Sequence, residues 1–136
     1  VAKAINFVIK GARFVATNND LVDIDEHGNL DPSTGSFTAM VRSASGVDPY
    51  YIGKPNNLIL REALTRMDNS TRRTTAIVGD RMDTDILSGI EGRMDSVLVF
   101  TGVTKPDDLQ RYPYIPKIIL ESVYDLVPSA SKFKTL

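Results

Sequence analysis

The chain has 136 residues, 42% hydrophobic and 24% charged, and its 16 Lys plus Arg nearly balance 17 Asp plus Glu. The resulting net charge of -1 leaves no basic field to hold a nucleic-acid backbone or an anionic membrane. With no cysteine there are no disulfides, thiolate metal sites or Cys nucleophile, and the single histidine, His27, argues against a His-based metal site or catalytic triad.

Taken in chain order, Lys3 to Ile9 includes the apolar stretch Ile5, Phe7, Val8 and Ile9. Arg13 to Ala16 predicts a short strand, ended by the turn cluster Thr17-Asn18-Asn19-Asp20. Residues 21 to 36 read as an irregular segment or a hairpin, and Phe37 to Ala44 as a short helix. A helix with one buried face is expected from about Asn56 to Met67, with Pro55 in its first turn. Thr74 to Val78 is a continuous β-branched and apolar run, which predicts a strand covered on both faces. Thr84 to Ile90 reads as a helix, and Ser96 to Phe100 as a second buried strand. A short helix from Pro106 to Arg111, a strand at Lys117 to Leu120 and a last helical turn at Val123 to Val127 complete the series. Alternating strands and helices predict an α/β doubly wound parallel sheet, whose ligands bind beyond the carboxyl ends of the strands. Asp80 and Thr101 fall there. No apolar run reaches the ~18 residues of a membrane span and no signal peptide is recognisable, so the expected location is the cytoplasm. A first residue of Val rather than Met suggests a piece of a longer product.

The most informative stretch is Gly79-Asp80-Arg81-Met82-Asp83-Thr84-Asp85. A carboxylate leaving a strand end suits a hard cation such as Mg2+, and a second nearby can orient the cation's waters. Asp83, Thr84 and Asp85 equally suit a helix N-terminus, so capping and metal binding both remain open. Upstream, Lys54 stands between Gly53 and Pro55, where its ammonium can offer a point charge to a phosphate. A cation, a lysine and acidic residues around one strand end make a set of groups fit to handle a phosphoryl group.

Gly53-Lys54-Pro55, the run from Ile77 to Ile86, and Val97 to Thr104 together resemble the haloacid-dehalogenase superfamily. The resemblance is closest to its class IIA branch, the NagD-like, 4-nitrophenyl phosphatase and phosphoglycolate phosphatase-like enzymes. Gly11 to Asp20 resembles the cap segment of that branch, and the likeness extends from about Ile5 to Val127. It implies a partial Rossmann-like core with part of an α/β cap. Residues 1–50 would be the end of the cap and residues 51–136 the end of the core. It implies Mg2+-dependent hydrolysis of small phosphorylated metabolites through an aspartyl-phosphate. In that scheme Lys54 neutralises phosphate and nucleophile, Asp80 binds Mg2+ and Asp85 acts behind it. Asp83 has no firm role, and Asn18 and Asp20 face the substrate from the cap.

The family's opening motif, a strand ending in Asp-x-Asp-Gly-Thr that carries the nucleophile, is missing from this chain. Asp23-Ile24-Asp25 imitates it, yet no buried strand precedes it and Glu26-His27 stand where Gly-Thr belong. The same segment departs from a calcium loop at His27 and Thr34, so a solvated cap loop is expected, with His27 exposed. The chain therefore reads as the carboxyl half of an enzyme, inactive alone. A missing half or another copy would cover the edge of the strand before Asp80. Two other classes stand beside this one: a non-catalytic phosphate- and Mg2+-binding module, and a receiver-like phospho-acceptor with Asp80 as acceptor. The receiver lacks its acidic pair and has too short a gap between Thr101 and Lys105.

Overall fold

The computed structural model describes residues 1–127, which divide into two compact units, Val1–Asp68 and residues 69–127. Residues 128–136, the end of the expected core range, lie outside the described residues. The fold is α/β, with parallel strand pairs in both units.

The first unit opens with helix α1 (Ala2–Ile9), then β1 (Val15–Ala16), β2 (Val22–Ile24), β3 (Leu30–Pro32) and helix α2 (Thr34–Ser45). Strand β4 (Tyr50–Tyr51) and helix α3 (Asn57–Thr65) follow. β1 and β4 pair in parallel, with Val15 opposite Tyr50 and Ala16 opposite Tyr51. β2 and β3 form an antiparallel hairpin, so the segment 21–36 resolves as the hairpin alternative. Asp23 lies within β2, not in a loop, and stands opposite Asp31. Asp25 organises the hairpin turn: its Oδ1 accepts the N–H groups of His27 at 2.8 Å and Asn29 at 2.7 Å. Helix α2 begins at Thr34, before the expected Phe37, and ends at Gly46 in the left-handed region (φ 70°), a geometry that favours glycine.

Two expectations for α3 are corrected. Its N-cap is Asn56, whose side chain accepts the Leu58 N–H at 2.9 Å, so Pro55 precedes the cap instead of occupying the first turn. None of its residues is buried, and Leu58 and Ile59 are 39% and 44% exposed. The apolar spacing fits a packing face, but nothing among the described residues buries it.

The second unit holds a three-stranded parallel sheet in the order β5 (Ala76–Gly79), β6 (Asp95–Val99), β7 (Ile118–Leu120). β6 is central, and Ser96 to Val99 are buried. Among the described residues β5 is an outer strand, and Val78 is 41% exposed. The run from Thr74 to Val78 therefore lacks the cover on both faces that its composition predicts, because hydrophobicity reports what a strand can bury, not what lies beside it.

Between β5 and β6 the expected helix is two structures in succession. Met82–Ile86 is a π-helical turn, and helix α4 (Leu87–Gly92) continues it. The Arg81 carbonyl accepts the N–H groups of both Asp85 and Ile86, each at 3.1 Å, which widens the turn by a residue. Met82, Ile86 and Leu98 are fully buried, with Phe100, Leu109, Tyr112 and Tyr114 packed against them. Burying side chains of this size stabilises by about 1.5–3 kcal/mol each. Residues Pro106–Arg111 and Val123–Leu126 form 3-10 turns. No helix among the described residues is long and apolar enough to cross a membrane.

Candidate active-site residues

Asp80 follows directly on Gly79, the last residue of β5, and its surroundings come from the loop after β6. Its Oδ2 accepts the Val103 N–H at 2.7 Å, and its carbonyl accepts the Thr104 N–H at 3.1 Å. A Cβ on Gly102 would overlap the Asp80 carboxylate, so the glycine makes room for the acid. The buried Thr104 reaches back, its Oγ1 accepting the Met82 N–H at 3.3 Å. Tyr114 closes the other side by donating its hydroxyl to the Met82 carbonyl at 3.2 Å. The loop of Asp80 to Met82 is thereby tied to Gly102–Thr104 by hydrogen bonds at three points, and to Tyr114 at a fourth.

Asp85 is 4% exposed, and its Oδ2 accepts the Arg81 N–H at 3.1 Å. A second glycine serves it: a Cβ on Gly79 would overlap its carboxylate. Each acid of the motif thus occupies a space left by a glycine. Asp83 is exposed, and no side chain caps the π turn, so its capping role is not realised. The carboxylate that turns back on the start of the π turn is that of Asp85, which accepts the N–H of the N-cap residue Arg81.

Burial of Tyr112 and Tyr114 beside this turn raises both phenols above their ordinary value, with Asp83 adding to each. Asp108, at the start of the following 3-10 turn, is held below the usual carboxylate range by the Lys105 N–H, then by Arg111.

In the first unit, Asn18 and Lys54 follow the carboxyl ends of the parallel pair β1 and β4. The pairing continues past β4, where the Ile52 N–H donates to the Ala16 carbonyl at 3.0 Å. The structure joins Asn18 to Asp20, with Asn18 Nδ2 donating to Asp20 Oδ2 at 2.7 Å. The Asp20 carbonyl also accepts the Gly35 N–H at 2.7 Å, which anchors this segment to α2. Lys54 is exposed, and its peptide bond to Pro55 is cis. A cavity of about 280 Å³ beside it is lined by Thr17, Ile52, Gly53, Leu58, Ile59 and Glu62. Asn18, Asp20 and Lys54 thus belong to one unit, and Asp80 and Asp85 to the other. His27 is exposed, as its loop position suggests.

The holders of Asp80 were not expected as functional residues. Gly102, Val103 and Thr104 act through a missing Cβ, two N–H groups and a threonine hydroxyl. They lie in the motif Val97 to Thr104, which carries the family resemblance without assigning any of the three a role.

Asp80 offers hard carboxylate oxygen to a cation, and one of its oxygens is already oriented by Val103. The donor set fits Mg2+, which takes one or two carboxylates and keeps several waters. Among the described residues no three His, Asp or Glu side chains cluster to hold a metal, so those residues form no closed cage around a cation.

The family model described as HAD-hydrolase-like matches residues 51–126. Dihydroxyacetone phosphatase of Corynebacterium glutamicum is 41% identical over 126 residues, 93% of this chain and 45% of the relative. Ribonucleotide monophosphatase NagD of Escherichia coli is 40% identical over 91% of this chain and 48% of the relative. Among solved structures, 4-nitrophenylphosphatase from Thermotoga maritima superposes with a TM-score of 0.82 at 31% identity, covering 92% of this chain and 48% of the other. Glycerol phosphate phosphatase from Mycobacterium tuberculosis, solved in complex with magnesium, gives 0.74 at 35% identity over 87% of this chain and 35% of the other. The chain spans about half the length of the curated relatives it matches.

Proposed function

This chain belongs to the haloacid-dehalogenase superfamily, in its NagD-like class IIA branch, and on that premise we propose that it is the carboxyl half of a Mg2+-dependent phosphatase for small phosphorylated metabolites. The observation that carries the proposal is the Asp80 clamp. A carboxylate at the carboxyl end of a parallel strand is fixed by an N–H from the neighbouring strand's loop and given room by a glycine. That placement is where α/β sheets bind ligands, and it holds a hard oxygen donor ready for a divalent cation.

In this reading Asp80 is the metal acid and Asp85 a buried carboxylate behind it. Lys54 neutralises phosphate, and Asn18 and Asp20 face the substrate from the cap. Residues 1–50 form the end of that cap and residues 51–136 the end of the core. Bound Mg2+ supplies charge neutralisation to the incoming phosphate. Turnover requires a carboxylate nucleophile from the rest of the protein. Its oxygen attacks phosphorus as the alcohol leaves, and water then hydrolyses the acyl phosphate to release inorganic phosphate. The chain alone is accordingly expected to be inactive. The open side of β5, with Val78 41% exposed, is where the remaining half or a second copy would pair. The metabolite substrates of such enzymes suit a cytoplasmic setting.

The test is hydrolysis of 4-nitrophenyl phosphate by the longer gene product, with Mg2+ and then with EDTA. We expect turnover that EDTA abolishes and that Asp80→Asn and Lys54→Ala each reduce by about 10²–10³-fold. Turnover indifferent to EDTA and to Asp80→Asn would refute the proposal.

A further inference from the structure

One peptide group joins a surface lysine to the proposed metal acid. The carbonyl oxygen of Gly102 accepts a hydrogen bond from Lys105 Nζ at 2.8 Å. The N–H of that same peptide unit is that of Val103, which donates to Asp80 Oδ2 at 2.7 Å. Hydrogen bonds in series through one amide polarise each other. An ammonium on the carbonyl draws electron density from the N–H, which then holds a carboxylate more firmly. The same contact fixes the tilt of the peptide plane, and with it the direction in which the N–H points.

We propose that Lys105 is a positioning residue for Asp80, its ammonium acting through the Gly102–Val103 peptide to orient the carboxylate that receives the divalent cation. The inference rests on the reading of Asp80 given above. The rest of the loop supports it. The Lys105 N–H donates to Asp108 Oδ2 at 3.0 Å, and Asp108 is paired with Arg111 at 3.0 Å. The lysine backbone is thus pinned at the start of the 3-10 turn. Its side chain turns back over the loop, giving up rotamer freedom that a lysine in water keeps.

The ammonium has two opposed effects on a cation at Asp80. Orientation and polarisation favour binding, and like charge opposes it. Two variants separate them. Lys105→Gln keeps a hydrogen-bond donor and drops the charge, whereas Lys105→Met keeps much of the apolar stem and drops both.

The experiment follows the Val103 amide of the ¹⁵N-labelled chain, first without metal and then through a Mg2+ titration. In the metal-free chain, Lys105→Met should move the Val103 amide proton upfield and speed its exchange about three- to tenfold. Lys105→Gln should restore most of both. The Mg2+ concentration at half-response should rise by the same factor in Lys105→Met and recover in Lys105→Gln. An unchanged Val103 amide in Lys105→Met overturns the role of the lysine alone, as does an equal change in the two variants. A Mg2+ response that tightens in both variants also overturns it, since charge repulsion then dominates. A wild-type chain that ignores Mg2+, or Asp80→Asn responding like wild type, removes the metal acid itself and this inference with it.

Discussion

Gly102 and Asp80 share a space that only one side chain can fill: a Cβ on the glycine would overlap the aspartate carboxylate. The conflict involves the short, hydrogen-bonded end of an aspartate and not a flexible chain that could swing aside. Gly102→Ala must therefore move the acid, the loop or both. Overpacking of this kind costs about 1–3 kcal/mol. We expect that loss in urea unfolding of the chain, together with at least a tenfold fall in Mg2+-dependent turnover of the longer product. Unchanged turnover would show that Asp80 does not need its observed place.

Asp85 allows a finer test. It is buried and accepts the Arg81 N–H, so its removal leaves a donor unsatisfied. Asp85→Ala should cost about 1–3 kcal/mol in equilibrium unfolding. Asp85→Asn retains an acceptor oxygen and should recover part of that loss. Equal destabilisation by both would assign the effect to lost charge instead of the hydrogen bond.

Ser88 on α4 is fully buried, and its Oγ has no hydrogen-bond partner among the described residues. Deleting an unsatisfied hydroxyl removes its desolvation cost and leaves little void. Ser88→Ala should raise the stability of the second unit by about 1 kcal/mol in thermal or urea unfolding. A destabilised variant would mean that the hydroxyl is satisfied in solution by water.

The hairpin of the first unit is expected to respond to acid. The Asp25 carboxyl is held below the ordinary value of 3.8, first by the Asn29 side chain and then by the N–H groups of Asn29 and His27. A depressed carboxyl binds its proton less readily when folded than when unfolded. Its stabilising contribution is therefore present above pH 3.8 and is lost as pH falls through the lower folded value. Asn29→Ala should raise the Asp25 pKa toward the ordinary value, read from its carboxyl ¹³C shift. An unmoved titration would show that the turn backbone alone sets it.

Much of the second unit is legible in its sequence. Ser96 to Phe100 reads as a buried strand because β6 has partners on both sides. The same reading goes too far for Thr74 to Val78, since an apolar run records the burial a strand can reach and not its neighbours in this chain. The π turn at Met82–Ile86 leaves no mark in the residue pattern, because its cause is a carbonyl shared by two N–H groups. For the same reason Asp83 and Asp85 look interchangeable as caps, although only one turns inward. Helix α2 begins three residues before Phe37, where Ser33, Thr34 and Gly35 carry the composition of a loop; the N–H groups of Ser33 and Gly35 anchor that start to the carbonyls of Leu21 and Asp20. Asp80 stands out by its place after a strand. The groups that hold it are backbone atoms and the absence of a side chain, which no residue type announces.

Asp80 and its Val103 donor lie 23 residues apart, on the ends of adjacent parallel strands. No local segment can bring them together. The segment between them must close and β5 must align with β6 before the carboxylate meets its N–H, so the entropic cost of closure comes before this contact can reward it. Assembly of the acid's surroundings is therefore a late event. A protected Val103 amide would mark the moment at which a nascent second unit acquires its native topology.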